Sequence, residues 1–320
     1  MTGEAGLGGQ VGTWIERLHD QTTDFFSRLD RGGSFREDIW ERPGGGGGVS
    51  RVLSDGVTFE KAGVNRSSVE GALDPQLAQR IGSRASGLEP LSFSVSGLSL
   101  VIHPRSPLVP TVHLNVRYFE IARPSGELVD AWFGGGTDLT PTYPFPEDAS
   151  HFHRTLKAVC DRHHPTFYPR FKTWCDHYFV NTHRGDERRG IGGVFFDHLR
   201  AGESGLSLAR LFDFVTEVAQ ILPDAYEPLV ERRRSLPFGE RERHFQLVRR
   251  GRYAEFNLVH DRGTLFGLQT GARIESVLMS LPPQAAWDYA PEYQSGSFEA
   301  ELLGMLEPRN WADEGDSVSR

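Results

Sequence analysis

Residues 88–143 constrain the fold most, because they carry strand pattern from end to end with no helical stretch between. Leu98, Leu100 and Ile102 alternate with Ser99, Val101 and His103, residues 104–110 turn the chain at two prolines, and 111–121 alternate again. The block closes on AWFGGGTDLTPTY (131–143), where an aromatic strand meets three glycines, then Thr137-Asp138, then a proline turn. Three glycines allow a close backbone approach, so Asp138 is aimed rather than merely solvated.

Around this block the pattern changes. Val11, Trp14, Ile15, Leu18, Phe25 and Leu29 keep a helical stripe. Five glycines (44–48) precede a hairpin around Asp55-Gly56, and the run reads as a flexible flap. Helices are predicted at roughly 147–161 and 166–183, then a glycine-interrupted strand at 191–196. Ser207 caps an amphipathic helix carrying Leu208, Leu211, Val215 and Val218. An arginine-rich helix near 238–250 leads to strands predicted at 253–259 and 273–279. Strands, helices, then strands again, with no βαβ alternation, predict an α/β fold of the α+β type. In it a large, mostly antiparallel sheet carries helices on its faces. Residues 1–10 and 311–320 read as flexible tails around a single domain, 11–310.

Alternate strand residues point to opposite faces. His113, Asn115 and Arg117 therefore share one face, with Leu114, Val116 and Tyr118 on the other; Ser99 and His103 likewise share a polar face. So few ordinary surface residues accompany these groups that they are expected to line a polar cavity. Asp261 and Arg262 end an apolar segment at a glycine, Arg273 follows a Gly-Ala bend, and Arg188-Arg189 precede another glycine-loosened strand. Arginine forks carboxylates bidentately. No pair among His103, His113, His153 and His183 has i,i+4 spacing, which favours buried histidines or a general acid over a metal site. No nucleophile elbow, phosphate loop or dinucleotide fingerprint occurs. Chemistry must rest on arginine, aspartate and histidine.

The net charge of −8 over 320 residues disfavours nucleic acid as a partner. Mean hydropathy of −0.42 and the lack of a long apolar run predict no membrane span. In ERRRSLPFGERERHFQLVRRGR the interleaved glutamates predict a self-neutralised surface. Two cysteines without metal spacing, Cys160 and Cys175, and no secretory leader predict free thiols in the cytoplasm.

The segments HPRSPLVPTVHLNVRYFEI (103–121), WFGGGTDLTPTY (132–143), RRGIGGVFFD (188–197), residues 240–283 and GGGGGVSRVLSDGVTFEKAGVN (44–65) closely resemble the oxygen-dependent coproporphyrinogen III oxidases. The resemblance implies a large flat antiparallel sheet between helical layers and a homodimer touching near 253–289. It implies oxidative decarboxylation of two propionates of coproporphyrinogen III to vinyl groups, with O₂ as oxidant and no organic cofactor. By motif position His113 matches a proton donor. Ser99, Asn115, Val116, Arg117, Gly271, Ala272 and Arg273 match substrate contacts, as Arg189 does in its motif. Asp138 and Asp261-Arg262 match active-site acids and a carboxylate clamp. His103, His113, His153 and His183 match ligands for a divalent cation, a role His113 cannot readily combine with proton donation. His260 and Ala272 depart from the family pattern, which expects an aromatic and often a glycine. A tetrapyrrole-binding protein without turnover needs the arginines but no poised acids. A metalloenzyme acting on another carboxylate needs the four histidines to converge.

Overall fold

The computed structural model describes residues 6–74, 78–79, 81–84, 90–269 and 272–314. A long helix, α1 (Leu7–Asp30), opens the chain, and six strands follow: β1 (Phe35–Glu41), β2 (Gly46–Ser54), β3 (Phe59–Leu73), β4 (Leu91–Pro104), β5 (Thr111–Ala122) and β6 (Leu128–Thr140). Helices α2 (Pro146–His163) and α3 (Phe167–Tyr178) lead to the short pair β7 (Val180–Asn181) and β8 (Glu187–Arg188), then β9 (Gly192–Leu199). The rest is helical: α4 (Leu208–Gln220), α5 (Leu222–Arg233), α6 (Glu240–Glu255), a π-helical turn (Phe256–His260), α7 (Arg262–Gln269), α8 (Ile274–Leu278) and α9 (Phe298–Met305). Seven strands form one antiparallel sheet in the order β1-β2-β3-β4-β5-β6-β9. The antiparallel α/β architecture expected from the pattern is what forms.

Each central strand sends its apolar set to one face. Ala62, Val64, Leu98, Leu100, Ile102, Val112, Leu114, Val116 and Phe133 are buried there in one continuous core with α1, α2, α4 and α5. Burying one such side chain contributes about 1.5–3 kcal/mol, so this layer fixes the register of every strand. Ser207 accepts from the Arg210 amide at 3.3 Å and caps α4 as its sequence predicts. The opposite face is polar and is crossed by the chain from α6 to α8. A smaller cluster of Cys175, Phe179, Phe195 and Phe256 anchors that layer.

Some expectations change. Residues 253–259 and 273–279 are helical, not strands. Phe245, Val248, Arg249, Arg252, Tyr253 and Phe256 recur every three or four residues and pack one side of a helix, while Leu258 and Val259 stay exposed. The glycine run is no free flap: Gly46, Gly47 and Gly48 lie in β2 and pair with β1 or β3. Leu7–Gln10 belong to α1 rather than to a tail, and Trp311, 1% exposed, belongs to the core. Residues 1–5 and 315–320 of the expected tails lie outside the described residues.

The arginine-rich region is neutralised mainly from elsewhere in the chain, with Arg243 and Arg250 on Glu60, Arg249 on Glu187 and Arg241 on Glu299. Cys160 and Cys175 are free and buried. Among the described residues no helix is long and apolar enough to cross a membrane.

Candidate active site

Three strands meet on the polar face. The register sets His113 of β5 opposite Asp138 of β6, and Asp138 opposite Gly193 of β9. Cross-strand partners share a face, so the imidazole and the carboxylate are neighbours by construction. His113 Nδ1 lies 2.7 Å from Asp138 Oδ1, and Arg189 Nη2 donates to Oδ2 at 2.5 Å. Asp138 is 2% exposed. Burial pushes its carboxyl upward, but the Arg189 charge and the His113 hydrogen bond outweigh that and hold it below the ordinary range. An ionised carboxylate only accepts, so Nδ1 of His113 carries the proton. Nε2 is left without a hydrogen bond among the described residues.

Arg189 lies inside the protein. Its guanidinium sits 4.1 Å from the Phe179 ring centre and 4.4 Å from that of Tyr253, and Nη1 donates to Asn257 Oδ1 at 3.2 Å. The sequence placed Arg189 among substrate contacts, yet its charge is spent on Asp138. Its cation keeps that carboxylate negative, and the carboxylate in turn faces His113. The arrangement is a buried ion pair that orients a mostly buried imidazole, 18% exposed.

Four residues along β5 from His113, Arg117 stands opposite Gly134 of the glycine triplet. A Cβ on Gly134 would come within 2.7 Å of the Arg117 guanidinium carbon, so the bare backbone is the saddle over which this side chain crosses β6. Beyond it, Arg117 Nη2 reaches Asp197 Oδ1 of β9 at 2.8 Å, while Nη1 donates to Asn115 Oδ1 at 2.9 Å. Arg262 Nη2 lies 3.9 Å from Asp197 Oδ2, and its guanidinium stacks 5.0 Å from the Tyr178 ring centre. The other two glycines meet backbone: a Cβ on Gly136 would fall 2.2 Å from the Val194 carbonyl oxygen.

Asp261 is tied to the same end of the face. Its Oδ1 accepts from Tyr178 Oη at 2.9 Å and its Oδ2 from the Thr264 amide at 2.7 Å, so it caps α7. Tyr178, its phenol pushed up to about 12 by burial and then by Asp261, remains a neutral donor. Arg117 and Asp261 are thus linked through Asp197, Arg262 and Tyr178, and Asp138 joins that layer through His113, whose ring meets Phe179 beside Tyr178.

Other expected residues lie elsewhere. Ser99 pairs with Asn115 on the polar face, whereas the Val116 side chain points into the apolar core. A ligand on this face could meet Val116 only through its backbone. Arg273 sits at the far side, ion-paired with Asp38 of β1, next to Ala272. Gly271 lies outside the described residues. Asp197 went unremarked in the sequence although it ends the motif RRGIGGVFFD, two positions beyond Phe195 on the same strand parity.

The four histidines do not converge. His103 Nε2 bonds the Ser280 carbonyl at 2.8 Å, and burial holds its ring well below the ordinary range. His153 bonds Tyr168 and the Ile191 carbonyl, with its pKa lowered to about 3 by burial. His183 bonds His260 and Glu255. Among the described residues no three His, Cys, Asp or Glu side chains are placed to hold a metal ion. The rings of His103, His153 and His183 are already bonded to other groups and, among the described residues, only His113 of the four keeps a free nitrogen, so these residues do not fit a cation site. A separate cavity of about 450 Å³, lined by Leu108, Tyr143, Phe145, Phe238 and Phe298 among others, shares no residue with this constellation.

An antiparallel sheet covered by helices, with a carboxylate-bound histidine and several arginines gathered on its polar face, defines a site that combines acid, base and cationic groups. The chain belongs to the coproporphyrinogen III oxidase family, whose model matches residues 10–311. It is 48% identical over 305 residues to Coproporphyrinogen-III oxidase 1, chloroplastic, of Arabidopsis thaliana, covering 93% of this chain and 78% of that one. It is 52% identical over 285 residues to the oxygen-dependent coproporphyrinogen-III oxidase of Drosophila melanogaster, covering 88% and 72%.

Proposed function

We propose that this chain oxidatively decarboxylates two propionates of coproporphyrinogen III to vinyl groups, using O₂ and yielding protoporphyrinogen IX for haem biosynthesis. Each turn converts –CH₂–CH₂–COO⁻, O₂ and one proton into –CH=CH₂, CO₂ and H₂O₂. Two electrons and a hydrogen leave the carbon next to the pyrrole as the carboxylate bond breaks. The observation that carries this reading is the His113–Asp138–Arg189 arrangement. The balance calls for one proton per side chain, and His113, as the imidazolium with both ring nitrogens protonated beside the ionised Asp138, supplies it from Nε2 and keeps the proton on Nδ1. Arg117 and Arg262 hold propionates that must not react or orient the one that must. Asp261 keeps lone pairs beyond its two bonds and accepts pyrrole N–H groups.

No organic cofactor enters these steps. None is assigned to a divalent cation, because His103, His153 and His183 are bonded to other groups and do not gather around His113. The segment from Leu7 to Trp311, whose ends both join the main core, acts as one catalytic domain. A homodimer through 253–289 is supported by exposed Leu258, Val259, Leu268, Ile274, Trp287 and Tyr289 in that region. A cytoplasmic placement is supported by the two free thiols.

The test is anaerobic mixing with coproporphyrinogen III, then admission of oxygen, with and without a chelator. We expect two successive decarboxylations and a porphyrin bearing two vinyl groups, undiminished by chelation. Tight binding with no CO₂ released would instead mark a carrier.

A further inference from the structure

Asp197 carries more than its place on the sheet requires. The β6–β9 register slips between Phe133 and Gly135, pairing Phe133 with Leu199 but Gly135 with Phe196, so β9 holds an extra residue beside Asp197. His198 takes a φ of 50°, which a side-chain-bearing residue rarely adopts. Bulges of this kind bend a strand and redirect a side chain, and they gather near active sites. Here the bend lets the His198 amide donate to Asp197 Oδ1 at 2.9 Å and turns the carboxylate toward two arginines on different elements.

We propose that Asp197 is a positioning residue that gathers Arg117 of β5 and Arg262 of α7 into a clamp for one unreacted substrate carboxylate. The inference rests on the reaction proposed above. Two guanidiniums and one carboxylate leave a single net positive charge, which matches one propionate. Asp197 is too enclosed to meet bulk solvent freely, and its charge is spent on drawing the two forks together. Gly134 is part of the same device, since only a bare backbone lets Arg117 lie across β6 to reach it.

Steady-state kinetics with coproporphyrinogen III, beside fluorescence titration with the unreactive tetracarboxylate coproporphyrin III, tests this. Asp197→Asn should raise KM and the porphyrin Kd about tenfold while kcat stays within twofold. Asp197→Glu should recover most of that loss. Gly134→Ala, whose new methyl meets only the movable end of Arg117, should reproduce the KM change and decides the matter if Asp197→Asn does not fold. Asp197→Asn combined with Arg262→Ala should be no worse than the poorer single variant. Unchanged KM, a fall in kcat alone, or additive losses would overturn the clamp. Wild-type protein that binds the porphyrin without turnover would overturn the reaction instead, with the Kd series still judging Asp197.

Discussion

Asp138 and Arg189 form a charge pair from which water is excluded. Such a pair adds little to stability while intact, yet removing one member costs about 3–5 kcal/mol because the other is stranded. Arg189→Met is therefore expected to lose that much in urea unfolding at pH 7. The sign of its pH dependence is informative. In the wild type the Asp138 carboxyl titrates below its unfolded value of about 3.9, so its contribution is present above about pH 4 and fades as pH falls through the folded value. Without Arg189, burial dominates and the carboxyl titrates high, so the deficit of the variant should shrink as pH drops toward 5. A deficit independent of pH would mean that Asp138 is not the stranded charge. Much of this was legible in residue parity: alternation alone put His113, Asn115 and Arg117 on one face. It could not show that Arg189 would be spent on Asp138, because that contact joins positions 51 residues apart.

At the level of elements, Asp261 separates two roles that coincide in one carboxylate. It caps α7 through the Thr264 amide and offers negative charge to the polar face. Asparagine caps about as well as aspartate, whereas alanine removes the cap at about 1 kcal/mol. Asp261→Asn is thus expected to keep the melting temperature and bind substrate, yet lose most turnover; Asp261→Ala should lose both. Equal activity in the Asn variant and the wild type would leave Asp261 with a structural role only. The segment feeding this cap reads as strand in the sequence because Tyr253, Phe256 and Val259 are residues strands favour. Burial every three or four residues from Phe245 to Phe256 overrode that preference, a spacing that polar Arg249 and Arg252 in buried positions disguised.

Across the whole molecule, the large antiparallel sheet and its apolar face followed from pattern, whereas the helical cover of the polar face did not. That cover is held by contacts such as Ser50–Ser276 and Lys61 with the Leu281 carbonyl, which join residues more than 200 positions apart. Three histidines are enclosed with lowered pKa: His19 to about 4, His153 to about 3, and His103 well below its ordinary value, in each case first by burial. The unfolded chain binds protons at these groups from pH 6.5 downward and the native one does not, so stability falls with pH there. Each costs about 2 kcal/mol at pH 5 by that linkage. Urea midpoints at pH 7 and pH 5 should differ accordingly, and equal midpoints would refute the neutral burial of these rings. The proposed dimer is probed by Val259→Glu, which puts a charge on an exposed apolar position. Light scattering should then report a monomer where the wild type is a dimer; an unchanged mass would move the contact elsewhere.

Strand β6 is flanked by β5 and β9 and is buried without a break from Asp130 to Thr140. Its amides can reach solvent only if the entire sheet parts, whereas the crossing chain that carries Arg262 rests on far fewer tethers. Gradual heating should therefore strip the molecule of its grip on the macrocycle before it disturbs the proton donor. Loss of retention would then precede loss of chemistry, and the enzyme would fail first by letting go.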